Sequence, residues 1–337
     1  MSYTANIAIC YPVEARHLQK IEKTLAELQW DARLIDAGQE RIADALLSAD
    51  IYCGHAKVPV PWDEVVRAGR LKWIQSSAAG MDHCLVPSVI ESPIVVSSAS
   101  GVLADQVADH TLALTLGLLR SLPVYFRAQQ AREYVRRPTR DLHDARVGIV
   151  GFGGNGRRLA EVLSAFRCEI WATDCFPEDR PPHVRALLAD DRLDEMLAEV
   201  DIVVLAAPLN DQTRGMFDAA RLARMRPDAL LVNMARGPLV VESDLADALD
   251  SGHLGGAGLD VAEVEPLPPD SRLWDQPQTI ITPHVGGQRA SRIDDMTEFF
   301  CENLKRYHTG RPLLNYLADK RLGFPLPADA AWRLRSA

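Results

Sequence analysis

Three short stretches in the second half of the chain carry the side chains best suited to chemistry: Arg236 in LLVNMARGPLVV, Glu265 in GLDVAEVEPLP and His284 in TIITPHVGG. Histidine exchanges protons reversibly near neutral pH, as interconversion of a carbonyl and an alcohol requires. A carboxylate bonded to its other ring nitrogen fixes the imidazole and raises its proton affinity. Arginine offers a planar fork that grips a carboxylate, orienting and polarising the carbonyl beside it. Arg236, Glu265 and His284 are therefore the candidate catalytic residues, and Arg236 and His284 are also candidates for touching substrate. Each has a plainer role open to it: a surface arginine, a solvated acid in a Pro-rich loop, a turn histidine.

Gly151-Phe152-Gly153-Gly154-Asn155-Gly156 fits G-x-G-x-x-G. Glycine-rich turns are common, but this one follows the apolar run VGIV. It opens a segment in which Leu159, Val162, Leu163 and Phe166 recur at helical spacing. A strand, a tight turn and a helix suit a dinucleotide's pyrophosphate: missing Cβ atoms admit it, and the helix N-terminus supplies amides and positive dipole. The next strand-like run, EIWATD, ends in Asp174, an acceptor for a ribose diol that would repel a 2′-phosphate. NAD is the expected cofactor and NADP is disfavoured, although Arg180 nearby pulls the other way. The plain alternative is an ordinary turn with a solvated acid after it.

The elements that must hold these residues form two series. Strand-like runs NIAIC, ARLIDA, DIYCG, LKWIQSSA and PIVVSSA alternate with helix-like segments, and a second series follows with RVGIV, EIWATD, DIVVLAAP, ALLVNMA, GAGLDV and TIITPH. Such alternation predicts α/β architecture: two Rossmann-like or flavodoxin-like doubly wound parallel-sheet domains. All three candidate catalytic residues then fall at or beyond strand C-termini, where open α/β sheets bind ligands. About 150 residues precede the glycine motif, so the cofactor domain is read as inserted into the substrate domain. The expected boundaries are 1–101 with 289–337 for the substrate domain and 102–288 for the NAD-binding domain, with hinges near Gly101 and Gly286-Gly287. Ala104–Arg120, apolar around most of its circumference, reads as a long connector helix buried between the two bodies and ended before Pro123. Residues 123–145 read as an exposed arm, and Ser291–His308 as a helix crossing back to the first domain.

Bulk properties agree with a soluble small-molecule enzyme. The 337 residues suffice for two domains, 47% apolar content excludes wholesale disorder, and a net charge of −9 argues against nucleic-acid or membrane partners. Six scattered cysteines lack metal-ligand or disulfide spacing, so no metal is expected. No apolar run approaches the roughly 20 residues of a membrane span or resembles a signal segment, so a cytoplasmic location is expected.

Taken in order, GxGxxG, the distal Asp, N-x-A-R-G, D-V-x-x-x-E-P-L-P and T-P-H-x-G make the chain, from Leu71 to Tyr316, resemble the D-isomer-specific 2-hydroxyacid dehydrogenases. The resemblance implies an NAD-dependent oxidoreductase that interconverts a small 2-keto acid and its (R)-2-hydroxy acid. It makes Arg236 the substrate arginine, Glu265 rather than Glu263 the partner acid, and His284 the acid/base. It further implies that backbone amides of Ala78, Ala79 and Gly80 form a small anion nest for the substrate carboxylate. Toward the cofactor it implies Gly151, Gly153, Gly154, Asn155, Gly156, Asp174, Ala207, Pro208, Thr213, Met234, Ala235, Arg236, Asp260, His284 and Gly286. Of these, Asp260 is expected near the nicotinamide carboxamide. A homodimer through the NAD-binding domains is also implied. Asn155 departs from the family's usual apolar residue, which alters the packing expected beneath the loop. Two neighbouring activities share these motifs: phosphite oxidation, and NAD sensing by corepressor-like proteins, whose long tails are missing here. Formate enzymes carry Gln where Glu265 stands.

Overall fold

A computed structural model describes residues 4–335. The chain divides into two compact units, one holding the residues up to Leu103 together with those from Arg289 onward, the other Ala104–Gln288. In the first unit, strands β1 (Ala5–Cys10), β2 (Ala32–Asp36), β3 (Ile51–Gly54), β4 (Trp73–Ser76) and β5 (Val95–Ser97) form a parallel sheet ordered β2-β1-β3-β4-β5. Helices α1 (Ala15–Glu27), α2 (Ile42–Leu46), α3 (Trp62–Ala68) and α4 (Pro87–Glu91) occupy the crossovers. Every residue of β3 and β4 is buried, as expected for central strands covered on both faces.

The second unit opens with α5 (Ala104–Leu119) and α6 (Leu122–Ala131). Its strands are β6 (Arg146–Val150), β7 (Glu169–Asp174), β8 (Val184–Ala189), β9 (Ile202–Leu205), β10 (Ala229–Asn233), β11 (Leu254–Leu259) and β12 (Thr279–Ile281). Helices α7 (Gly154–Ser164), α8 (Leu193–Leu197), α9 (Ala219–Leu222) and α10 (Glu242–Asp250) lie between them. The sheet order β12-β11-β10-β9-β6-β7-β8, parallel throughout, winds outward in both directions from β6 and β9. This is the doubly wound arrangement, with its switch point between those two strands.

Helix α5 packs on β10, β11, β12 and α7 of the second unit, and two details beyond it differ from the sequence reading. Glycines let it approach: a Cβ on Gly258 would lie 3.1 Å from Leu114 Cβ, and one on Gly117 would lie 2.7 Å from Ile280 Cδ1. Residues 122–131 are helical, because Pro123, unable to continue α5, is well suited to the first turn of a new helix. The irregular arm is confined to 133–141. Finally, β8 extends the sheet beyond β7; its VRALLA composition gives little strand signal, and pairing with β7 decides its conformation.

The chain's return to the first unit runs through α11 (Arg292–His308). Asp294 and Asp295 in its first turn and Lys305, Arg306 and His308 in its last complement the helix dipole. Its buried face includes Met296, Phe300 and Leu304, and Tyr307 stacks on Trp73 with ring centroids 4.9 Å apart. Asn303 is fully buried and satisfied, donating to Gln75 Oε1 at 2.7 Å and accepting from Leu314 N at 2.8 Å.

Candidate active site

The glycine motif lies where the second sheet reverses direction. Gly151 follows β6 with φ +92°, and a Cβ there would stand 2.6 Å from Ala207 N, in the chain that continues β9. No side chain is tolerated at that close approach. A Cβ on Gly156 would stand 2.3 Å from Gly151 O and 3.2 Å from Ile149 Cγ2, so this glycine lets α7 press onto β6. Gly153 is different: nothing lies within 4 Å of its notional Cβ, which leaves open space in front of the α7 N-terminus. Gly154 and Asn155 are the first two residues of α7, so their amides stand among the four that a helix leaves unpaired. Two glycines forced by packing and one facing open space make a cradle that fits a pyrophosphate.

Asp174 ends β7 beside this loop. Its Oδ2 accepts from Phe152 N at 2.7 Å and its Oδ1 from Phe176 N at 2.8 Å. The carboxylate thus ties the glycine turn to the end of β7 and retains acceptor capacity for a diol. Arg180 donates to Val184 O. Arg157 lies over the Phe152 ring, 4.8 Å from its centroid, and donates to Glu178 O and Asp179 O at 2.8 Å.

Beyond β9, Ala206 N donates to Val150 O at 2.8 Å. The loop after Ala207 and Pro208 is closed by Thr213, whose hydroxyl donates to Pro208 O at 2.7 Å. Beyond β10, buried Asn233 shapes the N-M-A-R-G turn from both ends: its Oδ1 accepts from Ala235 N at 3.0 Å and its Nδ2 donates to Arg236 O at 2.9 Å. Arg236 is half-buried and extended, and its Nη1 donates to Ala235 O at 2.8 Å. Gly237 must be glycine, because a Cβ there would stand 1.7 Å from Ala262 O in the loop beyond β11.

Glu265 and His284 meet: His284 Nδ1 and Glu265 Oε2 are 2.9 Å apart, with the side chains 41% and 45% exposed for Glu265 and His284 respectively. An ionised carboxylate only accepts, so the ring proton resides on Nδ1 and Nε2 is the nitrogen Glu265 leaves alone. Glu265 Oε1 also accepts from Ala262 N at 3.2 Å. Glu263, the other acid of that loop, is occupied elsewhere, accepting from Glu242 N at 3.1 Å.

His284 itself has φ +55°, in the left-handed region where non-glycine residues are uncommon. Such strain costs of order 1–3 kcal/mol and survives only where the surroundings over-determine it. Asp260 supplies much of that restraint. Its carbonyl accepts from His284 N at 2.7 Å, its Oδ1 from Val285 N at 2.9 Å, and its Oδ2 from Gly286 N at 2.8 Å. A Cβ on Gly286 would meet Asp260 Oδ2 at 2.9 Å and Met234 Cε at 2.5 Å, so Met234, Asp260 and Gly286 converge beneath the turn.

Two members of this arrangement escaped the sequence reading. Thr282 donates its hydroxyl to Asp260 Oδ1 at 2.7 Å, and His110 of α5 places Nε2 2.9 Å from Thr282 Oγ1. Thr282 lies two residues before His284, as the first residue of the T-P-H-x-G run. Nothing in the run ADHTLAL distinguishes His110 from an incidental polar residue on an apolar helix.

The loop after β4 belongs to the first unit. There Ala78 N donates to Ser76 Oγ at 3.0 Å. Ala79 and Gly80 amides have no partner within the chain among the described residues. Among the described residues no group of three acidic, histidine or cysteine side chains is arranged to hold a metal ion, and no helix is long and apolar enough to cross a membrane.

The family model of the NAD binding domain of D-isomer specific 2-hydroxyacid dehydrogenases matches residues 112–286, more than half the chain. This chain belongs to that family. It is accordingly a nicotinamide-dependent oxidoreductase, as relatives named dehydrogenases and reductases also indicate. A glycerate dehydrogenase of Methylorubrum extorquens is 30% identical over 284 residues, covering 81% of this chain and 87% of that protein. The structure of a D-isomer specific 2-hydroxyacid dehydrogenase from Xanthobacter autotrophicus Py2, in complex with NADPH and MES, aligns with TM-score 0.79 at 27% identity, over 95% of this chain and 100% of that one. An NADPH-dependent glyoxylate/hydroxypyruvate reductase from Sinorhizobium meliloti, in complex with NADP and sulfate, aligns with TM-score 0.76 at 26% identity, with the same two coverages. The chain spans about half the length of the D-3-phosphoglycerate dehydrogenases it also matches.

Proposed function

We propose that this protein interconverts a small 2-keto acid and its (R)-2-hydroxy acid with NAD(H), using His284 as the acid/base. The observation that carries this reading is the His284–Glu265 pair, 2.9 Å apart on a turn held in a left-handed conformation by Asp260. The second unit serves as the cofactor-binding body and the first contributes to substrate binding. Gly151, Gly153, Gly154, Asn155 and Gly156 hold the pyrophosphate, with Ala207, Pro208, Thr213, Met234, Ala235, Asp260 and Gly286 along the rest of the dinucleotide. When bound, the dinucleotide supplies or accepts the hydride.

The chain's own groups do the remainder. In the reducing direction, protonated His284 donates from Nε2 to the carbonyl oxygen of the substrate, while Glu265, held against Nδ1, fixes the ring and stabilises its charged form. Arg236 grips the substrate carboxylate and polarises the adjacent carbonyl, and the Ala79 and Gly80 amides of the first unit offer an anion nest of their own. Asp174 favours the diol of NAD over a 2′-phosphate.

Names among the relatives suggest glycerate, glyoxylate and hydroxypyruvate as substrates. The test is a panel of glyoxylate, hydroxypyruvate, pyruvate, phenylpyruvate, 2-ketoisocaproate and phosphite, each assayed with NAD(H) and NADP(H). The reading requires turnover on at least one 2-keto acid, with NADH preferred; activity on phosphite alone, or on nothing, would overturn it.

A homodimer formed through the second unit suits Leu122, Phe126, Tyr134 and Val135. These are four of the eight large apolar side chains exposed among the described residues, and they crowd one short stretch. Light scattering on Phe126→Glu should find a monomer where the unaltered protein is a dimer. A reducing cytoplasm suits six free thiols.

A further inference from the structure

Helix α5 carries a histidine that the chemistry above does not use. His110 reaches the end of β12 because glycines let the helix approach: Gly258 faces Leu114 and Leu118, and Gly117 faces Ile280. Its Nε2 lies 2.9 Å from Thr282 Oγ1 and 3.4 Å from Asp260 Oδ1, while Thr282 Oγ1 lies 2.7 Å from the same carboxylate oxygen. Asp260 is buried, 3% exposed, and accepts from the amides of Val285 and Gly286 as well.

Counting protons decides the polarity of this chain. Thr282 has one hydroxyl hydrogen and two close neighbours. An ionised Asp260 only accepts, so that hydrogen points to Asp260, and the Thr282 oxygen must accept from His110. His110 Nε2 therefore carries a proton. The alternative would set a bare ring nitrogen against an oxygen lone pair at 2.9 Å, or leave the buried carboxylate short of a donor, and both cost free energy.

We infer that His110 is a positioning residue: through Thr282 and Asp260 it holds the Thr282–Gly286 turn in the strained shape that presents His284. The relay is reached from helix α5, whose first residue opens the second unit, and ends on Gly286, two residues before that unit closes. Both ends of the unit are thereby fastened to the turn that carries the proton.

The inference rests on the proposed role of His284, and its test separates the two. The first measurement needs no substrate: 15N-histidine NMR of the full-length protein, with His110→Gln used to assign the resonance. A proton on His110 Nε2 is expected; a bare Nε2 would overturn the inference. The second uses glyoxylate or hydroxypyruvate with NADH. His110→Leu should lower kcat about 10- to 100-fold, the effect of losing a donor to a charged network, with KM for NADH within about twofold. His110→Gln, which keeps an N–H donor, should recover most of the loss. Thr282→Val should show a loss similar to His110→Leu, and the double variant should lose no more than either alone. Unchanged kcat in His110→Leu, no recovery by Gln, or losses that multiply would each overturn it; if the Leu variant does not fold, Thr282→Val against His110→Gln carries the same comparison. His284→Ala, run alongside, keeps the readings apart: wild-type turnover there sinks the acid/base role, whereas a dead His284→Ala beside a fully active His110→Leu sinks only this one.

Discussion

The two sheets of this molecule share a device and put it to different ends. Both reverse strand order once, between β1 and β3 in the first unit and between β6 and β9 in the second. At each reversal a glycine with positive φ closes onto the neighbouring strand's path. A Cβ on Gly54 would lie 2.6 Å from Cys10 O, and a Cβ on Gly151 would lie 2.6 Å from Ala207 N. After Gly54 the chain continues as His55-Ala56-Lys57, without an immediate helix. After Gly151 it runs through Gly153 into α7, whose N-terminus faces open space. A crevice at a switch point is a property of the topology; a helix N-terminus entered through open glycine makes it a phosphate site.

Substituting the two glycines separates these roles. Gly151→Ala forces strain and overlap at the cofactor loop and should weaken NADH binding roughly 100-fold by calorimetry. Gly54→Ala should lower the melting temperature and leave NADH affinity within about twofold; equal effects on binding would erase the distinction. The next largest effect concerns the substrate carboxylate. Arg236→Lys keeps the charge but loses the planar fork, so KM for the keto acid should rise about 10- to 100-fold with NADH affinity unchanged. Glu265→Gln should cut kcat about 10- to 100-fold by removing the charge that supports the imidazolium. The smallest effect is selectivity: Asp174→Ala should weaken NADH about tenfold, through loss of the diol acceptor and of the Phe152 tether, and should narrow the preference over NADPH. An unchanged NADH/NADPH ratio would show that Asp174 only braces the loop.

Much of this was legible in the sequence because the informative features are local. Gly151–Gly156, Asp174, the Asn233–Gly237 turn and Thr282–Gly286 each sit at the end of an apolar run whose strand character sequence reports directly. Choosing Glu265 over Glu263 depended on resemblance, and the geometry gives each acid a separate partner. What stayed hidden depends on pairing across the chain. The leucine- and alanine-rich β8 is a strand because β7 offers it an edge. Pro123 reads as a stop for α5, and its second consequence, a start for α6, needs the chain to turn at Ser121. The His110–Thr282 bond spans 172 residues, and no local pattern on either side announces it. The bond from Ala78 N to Ser76 Oγ, two residues earlier, is likewise a detail that the run SSAAG does not announce.

The central claim is that His284, braced by Glu265, carries the proton for an oxidoreductase whose cofactor lies on the glycine loop. Its most direct test is His284→Ala, assayed for turnover of the best 2-keto acid and, in the same preparation, for NADH binding by calorimetry. Turnover should fall by about two to four orders of magnitude, the usual weight of a general acid/base, with NADH affinity within a few-fold of the unaltered protein. Wild-type turnover in that variant would contradict the account.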